Sequence, residues 1–445
     1  MTRTTIAGGA FATMLVLLAL AAGHRAREHD VAPAAATSPA MTPSATDAQE
    51  GLLYGRATTD DGVIYEGRLR FGGDEEAFWG HYFNGAKDGN PWATHVPRER
   101  LGERLPIEIF GIRVAGWERR IDLGRPFMAR FGDIARIDAR GRDLRVTLRS
   151  GTVFDLDRFA ADDFADGVRV WDGRRGIVDL DEWRIRTIEF LPTARLDAAP
   201  HRLHGTVRTR QGDFTGFVQW DRKASVGQDE LNGHTADGEV SLRFDAIRSI
   251  ARRSSEGAAV TLLDGREVVL SDTRQDGRGN SGMYVDDPRY GRVLVSWDAF
   301  ERVDFSPGSS GPAYGDFPTG RPLMGNVTTR AGRRLAGRLV YDLDESETTE
   351  TRVAPYQGVD YTIPFGLIAS IVPAGREGRG ARRARVTLQG GEELPLERAG
   401  DLGEWNAGML IFVEGGQRPE YVPWTDVERV DFDRPPETYP ASGPR

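Results

Sequence analysis

The chain has no cysteine and almost no lysine: of its 58 basic residues, only Lys87 and Lys223 are lysine. The absence of cysteine excludes disulfides, thiolate metal sites, thiol nucleophiles and lipid attachment through an N-terminal cysteine. It does not exclude export, because a chain of 445 residues is long enough to bury a core that needs no disulfides.

An excess of positive charge is lacking too. The formal net charge is −9 and the pI is near 5.5, which argues against nucleic acid as a partner because phosphate binding needs clustered basic residues. Hydrophobic residues make up 39% and charged residues 28% of the chain, as in soluble globular proteins. The 54 glycines, set among many short apolar runs, indicate turns between strands. We therefore predict an all-β fold.

The N-terminal segment carries a targeting signal. Arg3 precedes an apolar run over residues 6–22, which contains a small-x-small cleavage site. This pattern predicts a secretory signal peptide over residues 1–22; an uncleaved membrane anchor is the alternative. Residues 23–51 are rich in Ala, Pro, Thr and Ser, and we predict that they form a disordered spacer. We expect an exported protein, periplasmic or secreted, that is anchored only if the signal is not cleaved.

Four landmarks occur three times in the same order. The first is a strand, a Gly-containing turn and a second strand, which begin at Leu53, Leu203 and Leu323. It is followed by RFGDIARI, RFDAIRSI or PFGLIASI, then by VTLRSG, VTLLDG or VTLQGG, and finally by WRIRTIEF, DAFERVDF or TDVERVDF. Such self-similarity is the signature of tandem repeats. We predict β repeats at residues 52–191, 202–306 and 322–433, with a disordered tail at 434–445.

Each repeat contains one local pattern twice. In YVPWTDVERVDF, Val422 and Trp424 alternate with other residues, Val427 and Val430 follow at intervals of three, and Phe432 follows two later. Alternation predicts a strand, and a step of three predicts a tight 3-10 turn before the next strand. Because GVDYTIPFGLIASI has the same spacing, we predict that each repeat consists of two similar halves.

This strand–turn–strand ending resembles the close of small five-stranded barrels of the Src-homology (SH3) and PRC kind, which often carry a Pro followed by apolar residues four and seven positions later. Pro423, Val427 and Val430 match that spacing, whereas Ser296 stands at the Pro position of the second repeat. The resemblance implies two small SH3-like or PRC-like barrel or sheet units in each repeat; a six-bladed propeller is the alternative. The whole chain also resembles uncharacterised exported bacterial repeat proteins, which implies no activity.

Few residues suit a catalytic or metal site. The chain contains seven histidines and no G-x-S-x-G, H-E-x-x-H or phosphate-binding glycine loop, so we predict no metal, no cofactor and no enzyme activity. A catalytic triad assembled from distant positions stays open as an alternative. The acidic run DLDESETTE at 342–350 lacks the glycine and the final glutamate of a calcium-binding loop, and we predict that it is a solvated hairpin tip.

The first repeat differs from the other two by an insertion near residues 85–120, which follows FWGHYFNG at 78–85. Insertions in repeat proteins lie on loops, often on the binding face. Aromatic rings beside polar groups can stack on sugars or anchor a protein partner; alternatively, these rings close an extended core beneath the insertion. The residues that we predict to bind a ligand are Trp79, His81, Tyr82, Phe83, Asn84, Trp92 and Trp117.

These features favour an exported, non-catalytic protein that acts as a binding or scaffold module in the cell envelope, with an envelope polymer or a protein as its partner. A sharper alternative is a polysaccharide- or peptidoglycan-binding protein that uses the aromatic-rich first repeat. A third hypothesis is a hydrolase that uses carboxylates such as Asp74, Glu75 or Glu76, since acid–base chemistry needs two carboxyl groups in a cleft. Exposed rings would favour the second hypothesis, and full burial of the rings would favour the scaffold.

Overall fold

Among the described residues, the strands form three large antiparallel sheets and two separate two-stranded sheets. A computed structural model describes residues 49–434 except 73, 98–101, 110–111, 121–124, 195, 197–199, 272–279, 309, 375–382, 398–401 and 404, and for 102–120 it describes only the backbone. The predicted signal peptide, most of the predicted spacer and residues 435–445 therefore lie outside the described residues. In the described part, no helix is both long enough and apolar enough to cross a membrane.

The prediction of an all-β fold is confirmed, and the strands are bounded as follows. The first repeat contains β1 Tyr54–Thr59, β2 Ile64–Phe71, β3 Tyr82–Ala86, β4 Gly102–Ile109, β5 Ile112–Arg120, β6 Pro126–Arg130, β7 Ile134–Arg140, β8 Asp143–Leu148, β9 Val153–Asp157, β10 Val168–Asp172, β11 Gly176–Leu180 and β12 Ile185–Phe190. The second contains β13 His204–Thr209, β14 Gly212–Gln219, β15 Glu230–Thr235, β16 Gly238–Arg243, β17 Ile247–Ser254, β18 Gly257–Leu262, β19 Glu267–Ser271, β20 Met283–Asp287, β21 Gly291–Val295 and β22 Phe300–Phe305. The third contains β23 Met324–Thr329, β24 Arg334–Val340, β25 Thr351–Tyr356, β26 Val359–Pro364, β27 Ile368–Val372, β28 Arg383–Leu388, β29 Glu393–Glu397, β30 Met409–Val413, β31 Glu420–Val422 and β32 Val427–Phe432.

Short helical segments join these strands. One helical turn, α1, spans Asp162–Ala165. The 3-10 turns are Pro91–His95, Phe131–Asp133, Arg158–Ala160, Glu182–Arg184, Phe244–Ala246, Tyr314–Asp316, Phe365–Leu367 and Trp424–Asp426. The last two stand between a pair of strands at the places where the step of three in the apolar spacing predicts a tight turn.

The same order of eight strands occurs three times. In the first repeat it is β11-β10-β2-β1-β12-β7-β8-β9, in the second β21-β20-β14-β13-β22-β17-β18-β19, and in the third β31-β30-β24-β23-β32-β27-β28-β29. This recurrence supports the three predicted repeats. Sheets of eight and twelve strands do not match a propeller, whose blades are four-stranded, so the alternative architecture is wrong.

The two halves of a repeat exchange strands. In the second repeat, the first half consists of β13 to β17 and the second half of β18 to β22. The first strand of each half pairs with the fifth strand of the other half, as β13 with β22 and β18 with β17. The second strand of each half pairs with the third strand of the other, as β14 with β20 and β19 with β15. The halves therefore share one sheet, and their likeness to SH3 or PRC units stays a prediction.

A cross-strand pair of glycines allows neighbouring strands of each repeat to approach closely. The pairs join the first two strands of each repeat and are Gly55 with Gly67, Gly205 with Gly216, and Gly325 with Gly337. A Cβ atom at Gly67, Gly216 or Gly337 would overlap the carbonyl oxygen of Trp171, Asp286 or Phe412 on the next strand. Only glycine permits such a close backbone approach, which explains why each repeat opens its second strand with glycine.

The repeats are joined to one another by strand pairing and by shared core. β21 of the second repeat pairs with β26 of the third, so the second sheet continues into the hairpin β25–β26. The core of the first repeat takes in Phe217 of the second repeat and Phe317 of the following connection. The insertion adds the two-stranded hairpin β4–β5. All described residues belong to one compact unit, and the predicted bounds of separate domains stay a prediction.

Candidate functional site

Most of the predicted ligand-binding rings lie in the core. Trp79, Tyr82 and Phe83 are only 2%, 3% and 0% exposed. The Phe83 ring packs edge-on against Phe131 at 6.1 Å between centroids, and the Trp79 ring lies 6.1 Å from that of Phe317. Buried rings cannot stack on a sugar in this structure, so they match the alternative interpretation, in which they close a core beneath the insertion.

The other predicted residues lie in different places. Asn84 is exposed, and its backbone and side-chain amides both donate to Asp163, at 2.7 and 3.0 Å. Trp92 is half-buried and packs edge-on against Phe412 of the third repeat, with 6.0 Å between ring centroids. The side chain of Trp117, on β5, lies outside the described residues.

His81 is a buried, neutral histidine. It is 1% exposed, and its Nδ1 accepts the backbone N–H of Glu76 at 2.9 Å, which assigns the proton to Nε2. Burial lowers the pKa of His81 well below its usual value, and the nearby Arg202, Arg292 and Arg70 lower it further. A histidine that stays neutral and points into the interior suits a structural role better than proton transfer at neutral pH.

The surroundings of His81 form a polar junction between the first and second repeats. Arg202 donates to the Trp79 carbonyl at 2.8 Å, and its guanidinium lies 4.0 Å from Asp286. Arg292 donates to the same Asp286 at 3.0 Å. Glu76, which is fully buried, accepts from Ser225 of the second repeat at 3.4 Å. These contacts hold the repeats together, and they place one of the three carboxylates of the hydrolase hypothesis out of reach of any substrate.

The other two carboxylates of that hypothesis, Asp74 and Glu75, are adjacent half-buried residues in the turn after β2. Burial raises the pKa of Glu75 to about 9, with the charges of Asp74 and Asp163 adding to the effect. Because of this raised pKa, Glu75 can hold a proton at neutral pH.

The acidic run at 342–350 is buried rather than solvated, so the prediction of a hairpin tip is wrong. Asp342 and Asp344 are 1% and 8% exposed. Lys87 of the first repeat reaches into this turn, and its Nζ lies 2.7 Å from Asp344 and 2.8 Å from Glu350. The turn is a socket for one of the two lysines of the chain. Its burial comes from a segment that is distant in sequence, which local composition cannot reveal.

A charged groove lies on the outward face of the first repeat. Its volume is about 370 Å³. The backbone N–H of Asp88 donates to the carbonyl of Asp155 at 2.9 Å, so the chain that leads into the insertion borders the groove. The residues that line the groove are Asp88, Asp138, Arg140, Asp143, Arg145 and Asp155.

The centre of this groove is a row of charges that only the first repeat has. Asp138, Arg145 and Asp155 stand opposite one another on β7, β8 and β9. At the same register positions, the second repeat has Ala251, Ala259 and Val269, and the third has Val372, Arg385 and Pro395. The framework is shared by all three repeats, whereas the complete charged row occurs in the repeat that carries the insertion.

An exposed aromatic pair lies at one end of the same sheet. Phe159 and Trp183 are 47% and 58% exposed, and their ring centroids are 5.8 Å apart. Sequence reasoning missed this pair, although a comparison of the repeats offers a signal. In the shared register, the polar residues Asp298 and Thr425 stand where the first repeat has Trp183.

No family model, curated protein or solved structure matches this chain. The chemistry of the groove therefore follows from its own residues, which are carboxylates that accept and guanidinium groups that donate hydrogen bonds. Within the part of the chain that the structure describes, no group of three or more His, Asp or Glu side chains is placed to hold a metal ion.

Proposed function

We propose that this protein is an exported, non-catalytic binding or scaffold module of the cell envelope, and that the groove on the first repeat is its binding face. The observation that carries this proposal is the charged row of Asp138, Arg145 and Asp155, which lies on a framework that all three repeats share. Binding residues are commonly displayed on a rigid scaffold beside loops that vary. Export rests on the N-terminal signal in the sequence.

The second and third repeats are attached to the repeat that carries the groove. Buried polar contacts from Arg202 and Lys87 tie the first repeat to the second and to the third, so the groove belongs to one body rather than to a loosely linked domain. The hydrolase hypothesis is less well supported, because Glu76 is fully buried and neither Asp74 nor Glu75 lines the groove.

The proposal is tested by co-sedimentation of the chain from residue 49 onward with isolated cell envelopes of the source organism. The decisive variant gives the first repeat the residues of the second: Asp138→Ala, Arg145→Ala and Asp155→Val together. Arg145 and Asp155 are exposed, so their ion pair contributes little to stability. Asp138 is half-buried and accepts from Arg136 and Thr187, so circular dichroism is used to verify that the triple variant keeps its fold.

The matched control is Arg385→Ala, which removes the arginine at the same register position of the third repeat. We expect the unaltered chain and the control to pellet with the envelopes, and the triple variant to stay in the supernatant. If the unaltered chain does not pellet, the envelope-binding proposal is wrong. If the triple variant pellets as well as the unaltered chain, the groove is not the binding face.

A further inference from the structure

We infer that the ligand of the first repeat is a polysaccharide chain, which stacks a sugar ring on the Phe159–Trp183 pair and runs along β9 over the groove. This inference rests on the proposed function and names the class of partner. It is carried by the aromatic pair, by the line of outward side chains that leads to it, and by the arginine partners that Asp138, Asp155 and Asp157 already have.

The aromatic pair is held in place although its rings are exposed. The guanidinium of Arg142 lies 5.2 Å from the centre of the Phe159 ring, and that of Arg158 lies 5.0 Å from the centre of the Trp183 ring. Arg158 is itself buried and donates to the Gly141 carbonyl at 3.0 Å. Each ring therefore has a guanidinium against it and keeps about half of its surface open, which is a preorganised arrangement for stacking.

The outward side chains of β9 form a line that leads to this pair. Val153, Asp155 and Asp157 point to the same face because strand residues alternate, and Phe159 follows in the next turn. Val153 is 48% exposed. The three strand positions span about 13 Å at the usual rise of a strand. A linear array of this kind, with an apolar residue at one end and two rings at the other, suits an extended polymer.

The two carboxylates of this line, and Asp138 beside it, are each paired with an arginine. Arg145 forms two hydrogen bonds with Asp155, at 2.7 and 3.2 Å. Arg142 lies 3.6 Å from Asp157, and Arg136 donates to Asp138 at 2.7 Å. Paired and exposed charges attract a charged partner only weakly. Their remaining lone pairs and N–H groups can still bond to hydroxyl groups, so a hydroxyl-rich chain is favoured over a strongly basic peptide.

The second and third repeats lack this combination. Asp298 and Thr425 replace Trp183 in the shared register, and Val269 and Pro395 replace Asp155. The three repeats therefore have one framework, and a ring beside a charged row is found in the first of them. Such a difference at exposed positions is not required by the core.

The test uses pelleting of the chain from residue 49 onward with purified peptidoglycan, chitin and cellulose. The variant is Trp183→Asp, which copies the second repeat at an exposed position. The matched control is Trp405→Ala, because Trp405 is 69% exposed on the third repeat. We expect at least one polysaccharide to pellet the unaltered chain and the control, and the Trp183→Asp variant to bind about tenfold more weakly.

A second arm separates this inference from the proposed function. Isolated envelopes are digested with a protease, washed and tested alongside intact ones. Retained binding to digested envelopes supports a polysaccharide ligand. If digestion abolishes binding and none of the three polysaccharides pellets the chain, the partner is a protein. That result overturns the inference of a polysaccharide ligand and leaves the proposed envelope-binding function supported. Failure to bind intact envelopes overturns both. Equal pelleting of Trp183→Asp and the unaltered chain places any polysaccharide site elsewhere.

Discussion

Neighbouring carboxylates in the first repeat differ in what surrounds them. Glu76 is fully buried and faces Arg68, whose guanidinium lies 3.7 Å away. Glu75, the preceding residue, is half-buried and faces Asp74 and Asp163 instead. Burial raises the pKa of Asp163 to about 6 even though Asn84 donates to it twice. At the scale of single residues, position decides the charge state, and residue type alone does not.

We expect Glu75→Gln to change how stability depends on pH. The pKa of Glu75 is about 9 in the folded protein, against about 4.3 in an unfolded chain. Between these values the folded state keeps a proton that the unfolded state has released, so the free energy of unfolding falls as pH rises. The neutral amide avoids this loss. The variant should match the unaltered protein near pH 5 and be more stable by about 1–3 kcal/mol at pH 8.

Urea denaturation at three pH values between 5 and 8 measures this effect. Glu256→Gln, at an exposed glutamate of the second repeat, is the matched control. Its free energy of unfolding should stay close to that of the unaltered protein at every pH. A constant difference between Glu75→Gln and the unaltered protein across the range would show that the Asp74–Glu75 pair holds no extra proton.

At the scale of the element, the glycine pairs decide how closely neighbouring strands can approach. Gly216 on β14 faces the backbone of β20 so closely that a Cβ atom would overlap the carbonyl oxygen of Asp286. A strand carbonyl in a ladder cannot move without breaking its hydrogen bonds. Gly216→Ala should therefore lower the free energy of unfolding by about 2–4 kcal/mol.

Gly173→Ala is the control for this substitution. A Cβ atom at Gly173 would meet no other atom within 4 Å, so the free energy of unfolding should change by no more than about 0.5 kcal/mol. Chemical denaturation of both variants measures the contrast. If the two substitutions have the same effect, the close approach of β14 and β20 is not what selects glycine at position 216.

At the scale of the whole molecule, Lys87 connects the first repeat to the third. The side chain of Lys87 is 9% exposed. Burial by itself lowers the pKa of Lys87, but Glu350 and Asp344 outweigh burial and raise it above the usual value. Lys87→Met leaves these two carboxylates buried without the lysine. Breaking a buried ion pair by removing one partner costs about 3–5 kcal/mol, and we expect a loss of that order in urea denaturation.

Lys223→Met is the natural comparison, because Lys223 is the other lysine of the chain and is exposed. It should leave the free energy of unfolding within about 0.5 kcal/mol of the unaltered protein. Equal effects of the two substitutions would mean that the socket at 342–350 does not hold the repeats together.

Local patterns in the sequence predicted much of the fold. Alternation at Val422 and Trp424, followed by a step of three to Val427, gives a strand and a 3-10 turn that the structure contains. The insertion also forms a hairpin, whose two strands are joined within a few residues. These features depend on residues within a few positions of one another, where the spacing of apolar side chains reports directly on the backbone.

The candidate site was less predictable. Trp79 and Trp183 are both tryptophans of the first repeat, yet one is 2% and the other 58% exposed. The dense run around Trp79 is rich in rings because it belongs to the core. Trp183 stands alone among polar residues, and only its comparison with Asp298 and Thr425 marks it as unusual.

By itself, the amino-acid sequence determined the class of fold, the recurrence of one framework and the lack of a recognisable catalytic motif, since these follow from short-range spacing and from self-similarity. Only the tertiary structure decided that the halves exchange strands, that the run at 342–350 is a buried socket for Lys87, and that the outward side chains of β9 lead to an exposed pair of rings. The physical reason is that burial and pairing depend on segments that are far apart in the chain. The same residue types can be solvated charges in one fold and a buried ion pair in another.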